Sequence, residues 1–178
     1  MKTIIVLAMH GAPPKDFPRQ KLGEFFSLHM QLEHGMVSPE RRSALEQRCA
    51  ELERALHGWP RTKENDPFYA ASRRLAHALS STTGLPVVLG FNEFCAPGLD
   101  DALDEAVAQG GERVIVATPM MTPGGEHAEI DIPATIEGAR GRYPNVDFRY
   151  AWPFETKDVA ELLAAQVASY GPGTVESR

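Results

Sequence analysis

The chain is 178 residues long, enough for one domain with a full-sized core and too short for two independent ones. Hydrophobic residues make up 43% and charged residues 24%, an ordinary balance for a soluble globular protein and not that of a disordered chain. A formal net charge of −6 argues against non-specific binding to nucleic acid or to acidic membrane surfaces, so a polyanionic ligand would need a local basic patch.

The first predicted element is a strand over Thr3–Met9, where Ile4, Ile5, Val6 and Leu7 form the continuous apolar run of a strand covered on both faces. The run stops at His10-Gly11, too short for a secretory signal or a membrane span, so no membrane partner is expected. Residues 15–65 break the α/β rhythm that follows. Ser38-Pro39 opens a helix whose Leu45, Cys49, Leu52 and Leu56 make one apolar seam, and Gly58 and Pro60 stop it. This helical excursion can serve as a lid, a dimer contact or additional core. Packing on the parent domain is the default.

Asp66-Pro67 starts the next helix with a capping side chain and a proline, and Phe68, Ala71, Leu75 and Leu79 mark its apolar face up to Gly84. A second strand is predicted over Pro86–Phe91. Leu99, Leu103, Ala106 and Val107 form the next helix, with Asp100 and Asp101 at its positive end and Gly110-Gly111 beyond it. A third strand covers Arg113–Thr118. Asp131-Ile132-Pro133 caps and opens another helix just after a His127 loop, a fourth strand covers Val146–Tyr150, and Val159, Leu162, Leu163 and Val167 mark the last helix. Such alternation predicts right-handed crossovers and a mostly parallel sheet.

Three of these strands run into a metal-binding type of side chain: His10 after the first, Glu93 after the second and His127 after the third. In an open parallel sheet, ligands bind beyond the carboxyl ends of the strands, so the three can converge although distant in sequence. Two imidazoles and a carboxylate can hold a divalent metal with positions left open for substrate. Taken singly, each histidine reads as a hydrogen-bonded structural residue; taken jointly at three strand ends, they point to metal. Gly124-Gly125 permits a sharp turn and close approach of a flat ligand beside His127, and Glu126 and Glu129 are candidate acceptors for its imidazole. His29, His34, His57 and His77 lack a partner at ligand spacing and read as structural or exposed.

Cys49 and Cys95 are the only cysteines and form no C-x-x-C pair, which fits a reducing cytoplasm and gives no thiolate zinc site. Packing is the default for Cys95. No phosphate loop and no G-x-G-x-x-G is present, so no nucleotide cofactor is indicated, and G-x-S-x-G is absent as well.

His10-Gly11 after a strand, Phe91-Asn92-Glu93-Phe94 followed by Pro97-Gly98-Leu99, and Gly124-Gly125-Glu126-His127 with Asp131-Ile132-Pro133 together resemble the CbiX/SirB family of sirohydrochlorin chelatases, small relatives of ferrochelatase and the CbiK-type cobaltochelatases. The similarity covers residues 1–14 and about 66–165. The resemblance implies one chelatase-like α/β domain over 1–170 with a mostly parallel four-stranded sheet flanked by helices, a helical insertion over about 15–65 and a flexible tail over 171–178. It implies a lyase that inserts a divalent metal (Co2+, Ni2+ or Fe2+) into a sirohydrochlorin-type tetrapyrrole without ATP, in cobalamin- or siroheme-type biosynthesis. The metal is then a substrate. The family's roles carry over to His10, Glu93 and His127 as metal-holding and catalytic residues, with Gly11, Gly124 and Gly125 as substrate-binding candidates; Lys15, Arg19 and Lys21 beyond the first strand are candidate partners for the substrate's carboxylates or, equally, a solvated surface run. A homodimer is expected by analogy. The chain departs from the pattern at Ala12-Pro13-Pro14, where a small hydroxyl residue is common, and in the length of 15–65. The alternative reading is a protein that binds or delivers the tetrapyrrole or metal without catalysis, and a metal-dependent hydrolase is a more remote one.

Overall fold

The computed structural model describes residues 1–35 and 37–171, so the predicted tail lies outside the described residues except for Gly171. The elements in chain order are β1 (Thr3–Met9), α1 (Arg19–His34), α2 (Pro39–His57), α3 (Pro67–Thr83), β2 (Val87–Phe91), α4 (Leu99–Ala108), β3 (Arg113–Ala117), a π-helical turn (His127–Asp131), α5 (Ile132–Arg142), β4 (Asp147–Tyr150) and α6 (Thr156–Ala168). The four strands form one sheet in the order β2-β1-β3-β4, and every neighbouring pair is parallel. This is the single α/β domain expected, with the helical insertion placed between β1 and α3.

The central strand is buried on both faces, which is why its sequence is a continuous apolar run. Ile4, Val6 and Ala8 pack against α4 and α5 in the main core with Leu103, Ala106, Ile132 and Ile136. Leu7 and Met9 point the other way and join Phe91, Cys95 and the partly buried Tyr69, Ala76 and Leu79 of α3. Each fully buried aliphatic side chain of this kind contributes roughly 1.5–3 kcal/mol relative to exposure. The insertion forms its own satellite core: the predicted seam of α2, with Cys49, Leu52 and Leu56 buried, closes on Phe25 and Leu28 of α1 and on Phe17. The insertion's seam is thus buried within the chain.

Three local expectations differ from the structure. Helix α3 does not bury Phe68 and Leu75, which remain 37% and 42% exposed; its inner side carries Tyr69, Ser72, Ala76 and Leu79. Small Ser72 and Ala76 allow the helix close to the sheet, and its two ends are anchored: Asp66 accepts from the Tyr69 N–H, and the Ser80 hydroxyl donates to the Leu85 carbonyl. At α5, Asp131 does not cap, because the π-helical turn runs straight into the helix and places Asp131 in helical conformation. Helix α6 forms where expected, but Leu162, Leu163 and Val167 are 57%, 57% and 72% exposed, so its apolar stripe is not core among the described residues. No helix among the described residues is long and apolar enough to cross a membrane.

Candidate metal centre

The ladder between β1 and β2 continues past the strands and delivers two candidate ligands side by side. Met9 pairs with Phe91, the Asn92 N–H donates to the Met9 carbonyl at 2.9 Å, and the Glu93 N–H donates to the His10 carbonyl at 3.1 Å. Gly11 makes this possible. It adopts φ +107°, and a β-carbon there would lie 1.9 Å from the Glu93 carbonyl oxygen, so only glycine lets the two loops touch. The third ligand arrives from β3, whose chain leaves the sheet on the other side of β1. That reversal of strand order opens the crevice. The π-helical turn carrying His127 is held down from β4, where the Tyr150 hydroxyl donates to the Ala128 carbonyl at 3.0 Å. Burial pushes the Tyr150 phenol up to about 12, so it remains a donor.

His10, Glu93 and His127 meet at this edge, and each offers a donor atom within 4.8 Å of the others. Glu93 Oε1 lies 2.8 Å from His10 Nδ1 and 3.6 Å from His127 Nε2, and the two imidazoles meet edge to face with centroids 4.6 Å apart. His127 Nδ1 is 2.6 Å from Asp131 Oδ2. A carboxylate accepts, so Nδ1–H donates to Asp131 and Nε2 is the ring nitrogen that faces Glu93. Burial raises the Glu93 carboxyl above the usual carboxylate range, an effect that the neighbouring histidines oppose. A cation placed among the three would restore the charged form.

The insertion closes over this edge. A cavity of about 480 Å³ is bounded on one side by Phe25, Phe26, His29, Glu53, Leu56 and His57, and on the other by Asn92, Glu93, Phe94, Glu126, His127 and Asp131. Glu93 and His127 therefore sit in the floor and aromatic and imidazole rings in the roof, while His10, against Glu93, is not among the lining residues.

Residues 55–170 match the CbiX family. The chain belongs to that family. Among relatives of this CbiX chain, the sirohydrochlorin cobaltochelatase of Priestia megaterium is 37% identical over 82 residues, covering 46% of this chain and 26% of the relative. The sirohydrochlorin ferrochelatase of Priestia megaterium is 27% identical over 78 residues, covering 43% and 29%. The match thus spans well under two thirds of the length of either relative. Two solved structures are also similar. The sirohydrochlorin chelatase SirB from Bacillus subtilis subspecies spizizenii in complex with cobalt shares 16% identity with TM-score 0.47, covering 95% of this chain and 51% of that one. SirB from Bacillus subtilis with Fe3+ shares 17% identity with TM-score 0.49, covering 97% and 48%. Helix α1 and most of α2 precede the matched region, so most of the roof over the CbiX site lies outside it.

The other candidate residues are placed as follows in the CbiX domain. Gly11 is buried beneath Glu93 and spaces the loops instead of lining the cavity. Gly124, at φ +92°, and Gly125 are exposed in the turn before His127. Glu126 lines the cavity, and the Glu129 carboxylate accepts from the Gly124 N–H at 2.8 Å; both are exposed carboxylates, and Asp131 is the one that orients His127. The signal for Asp131 was its i,i+4 spacing from His127, which its use as a helix cap concealed. His29, exposed, and His57, half-buried, belong to the cavity wall, a placement that their spacing did not signal, while His77 is exposed on α3. Lys15, Arg19 and Lys21 are exposed and not among the residues lining this cavity. Cys95 is fully buried, and burial pushes its thiol up to about 11, consistent with packing.

Proposed function

We propose that this protein inserts a divalent metal into a sirohydrochlorin-type tetrapyrrole without ATP, as a chelatase. The observation that carries the reading is the convergence of His10, Glu93 and His127, donor atoms within 4.8 Å, with Glu93 and His127 lining a cavity that Phe25 and Phe26 also line. The triad holds the incoming metal, and its small ligand count leaves positions for pyrrole nitrogens to enter. Insertion forms the metal–nitrogen bonds and releases two pyrrole protons. As the metal departs, Glu93 is left as a partly desolvated carboxylate with a raised proton affinity, suited to accept one of them, and the freed imidazole of half-exposed His10 accepts the other and passes it to solvent. Asp131 keeps His127 in the tautomer that presents Nε2. The flat macrocycle stacks against Phe25 and Phe26 on the roof side of the cavity.

The names of the two Priestia megaterium relatives favour cobalt or iron as the metal, with nickel as a further arm of the test. The uncovered Leu162, Leu163 and Val167 of α6 favour pairing with a second copy of the chain. Two free, buried cysteines fit work in the reducing cytoplasm.

The test is anaerobic optical spectroscopy of the protein with sirohydrochlorin and each of Co2+, Ni2+ and Fe2+, run beside His10→Ala and His127→Ala. The expected result is insertion well above the protein-free rate, reduced at least a hundredfold in either variant while circular dichroism is unchanged. Binding of metal and macrocycle with no acceleration would identify a carrier. Near-wild-type rates in both variants would remove the triad from the chemistry.

A further inference from the structure

Between α2 and α3 lies Arg61, a cation almost wholly removed from water: its side chain is 6% exposed and that of its partner, Asp66, 2%. Burying such a pair does little for stability, because desolvation offsets much of the attraction, so its presence calls for another account. The hydrogen bonds supply one. Arg61 Nη1 donates to the Ala12 carbonyl at 2.6 Å and to Asp66 Oδ2 at 2.5 Å. Its Nη2 donates to the Leu56 carbonyl at 3.0 Å and to the Phe94 carbonyl. Ala12 stands two residues past His10, Phe94 directly follows Glu93, and Leu56 lines the cavity roof. Asp66 is itself fixed to α3 through the Tyr69 N–H at 2.8 Å.

We propose that Arg61 is a positioning residue of the candidate metal centre, locking the His10 loop, the Glu93 turn and the end of α2 into one register. The inference rests on the chelatase reading for its consequence, though not for its geometry. A planar guanidinium with donors in a fixed fork can hold carbonyls from three separate segments at once; a lysine ammonium, a compact point donor on a flexible stem, cannot reproduce that plane. Phe94 shows what the fork holds. It is the one non-glycine residue at positive φ among the described residues, at 59°, an uncommon conformation for such a side chain, and its carbonyl is one that Arg61 grips. Release of that carbonyl frees the turn to relax and carries the neighbouring Glu93 with it. Gly11 brings the His10 loop into contact with Glu93; Arg61 keeps it there.

The experiment uses the full chain in three forms: wild type, Arg61→Lys, and the double variant Arg61→Met with Asp66→Asn, which removes both buried charges and keeps an acceptor for the Tyr69 N–H. Two measurements are made on each. Amide hydrogen exchange reads the Asn92 and Glu93 N–H groups, which bond to the Met9 and His10 carbonyls, against amides in the middle of β1. Titration with Co2+, followed by its visible absorption, reads affinity and coordination. The expected result is at least a tenfold loss of protection at Asn92 and Glu93 with β1 changed less than twofold, and at least a tenfold loss of Co2+ affinity with an altered spectrum, in both variants. Unchanged protection at Asn92 and Glu93, or an equal loss throughout β1, would overturn the positioning role. A wild-type protein that takes up no Co2+ would overturn the chelatase reading instead, and the exchange data alone would then decide the clamp.

Discussion

Replacing Gly11 with alanine tests the contact on which the centre is built. The new β-carbon would begin 1.9 Å from the Glu93 carbonyl oxygen and 2.9 Å from its carbon. Ordinary contact begins at 3.4 Å, so one backbone must retreat by roughly 1.5 Å. A non-glycine residue held at φ +107° costs about 1–3 kcal/mol. Loss of the bond from the Glu93 N–H to the His10 carbonyl adds about 1 kcal/mol. Alanine restricts the unfolded chain and returns about 0.4–1 kcal/mol. The net expectation is destabilisation by about 1–3.5 kcal/mol, measured by urea unfolding. Displacing Glu93 by that distance also exceeds the ~0.5 Å tolerance of a metal constellation, so Co2+ affinity should fall at least about tenfold. A Gly11→Ala protein within about 0.5 kcal/mol of wild type, binding Co2+ equally well, would refute the claim that the two loops must touch here.

Two further outcomes are expected. Leu52 is 2% exposed in the satellite core, so Leu52→Asp, which loses apolar burial and introduces a charge, should destabilise the α1–α2 hairpin by about 4 kcal/mol or more; loss of helical dichroism with the sheet amides still protected would show that the hairpin melts first, and an unaltered melting curve would show that the seam is not buried. The Glu93 carboxyl is raised by burial, so the native apo protein binds this proton over a pH range where the unfolded chain has released it. Its contribution to apo stability is therefore full below the ordinary glutamate value and lost as pH rises through the raised one. Co2+, which needs the carboxylate, should be displaced by acid earlier than an ordinary glutamate would allow. Glu93→Gln should remove the apo dependence and leave Co2+ binding with only the acid dependence of the two imidazoles, as followed by unfolding and Co2+ titrations against pH; unchanged slopes in that variant would assign both to other groups.

Much of the fold was legible from local signals. The uninterrupted run Ile4–Leu7 reported burial on both faces, Asp66-Pro67 and Ser38-Pro39 reported helix starts, and these require nothing beyond neighbours in the chain. Convergence of His10, Glu93 and His127 was also legible, because a parallel sheet with helical crossovers puts every strand's carboxyl end on one edge, however far apart the residues lie. What needed the tertiary structure was whatever depends on a distant partner. Asp131 has the same signature as a helix cap and as an orienting carboxylate, and only the π-helical turn decides between them. Which side of α3 is buried followed from how closely small residues let it approach the sheet, not from where its largest apolar residues lie. His29 and His57 gained a cavity only because the α1–α2 hairpin folds back over the strand ends. Arg61 carries no periodicity and no motif; its partners Ala12 and Phe94 are 49 and 33 residues away, and hydrogen bonds across such separations exist only once the chain has closed upon itself.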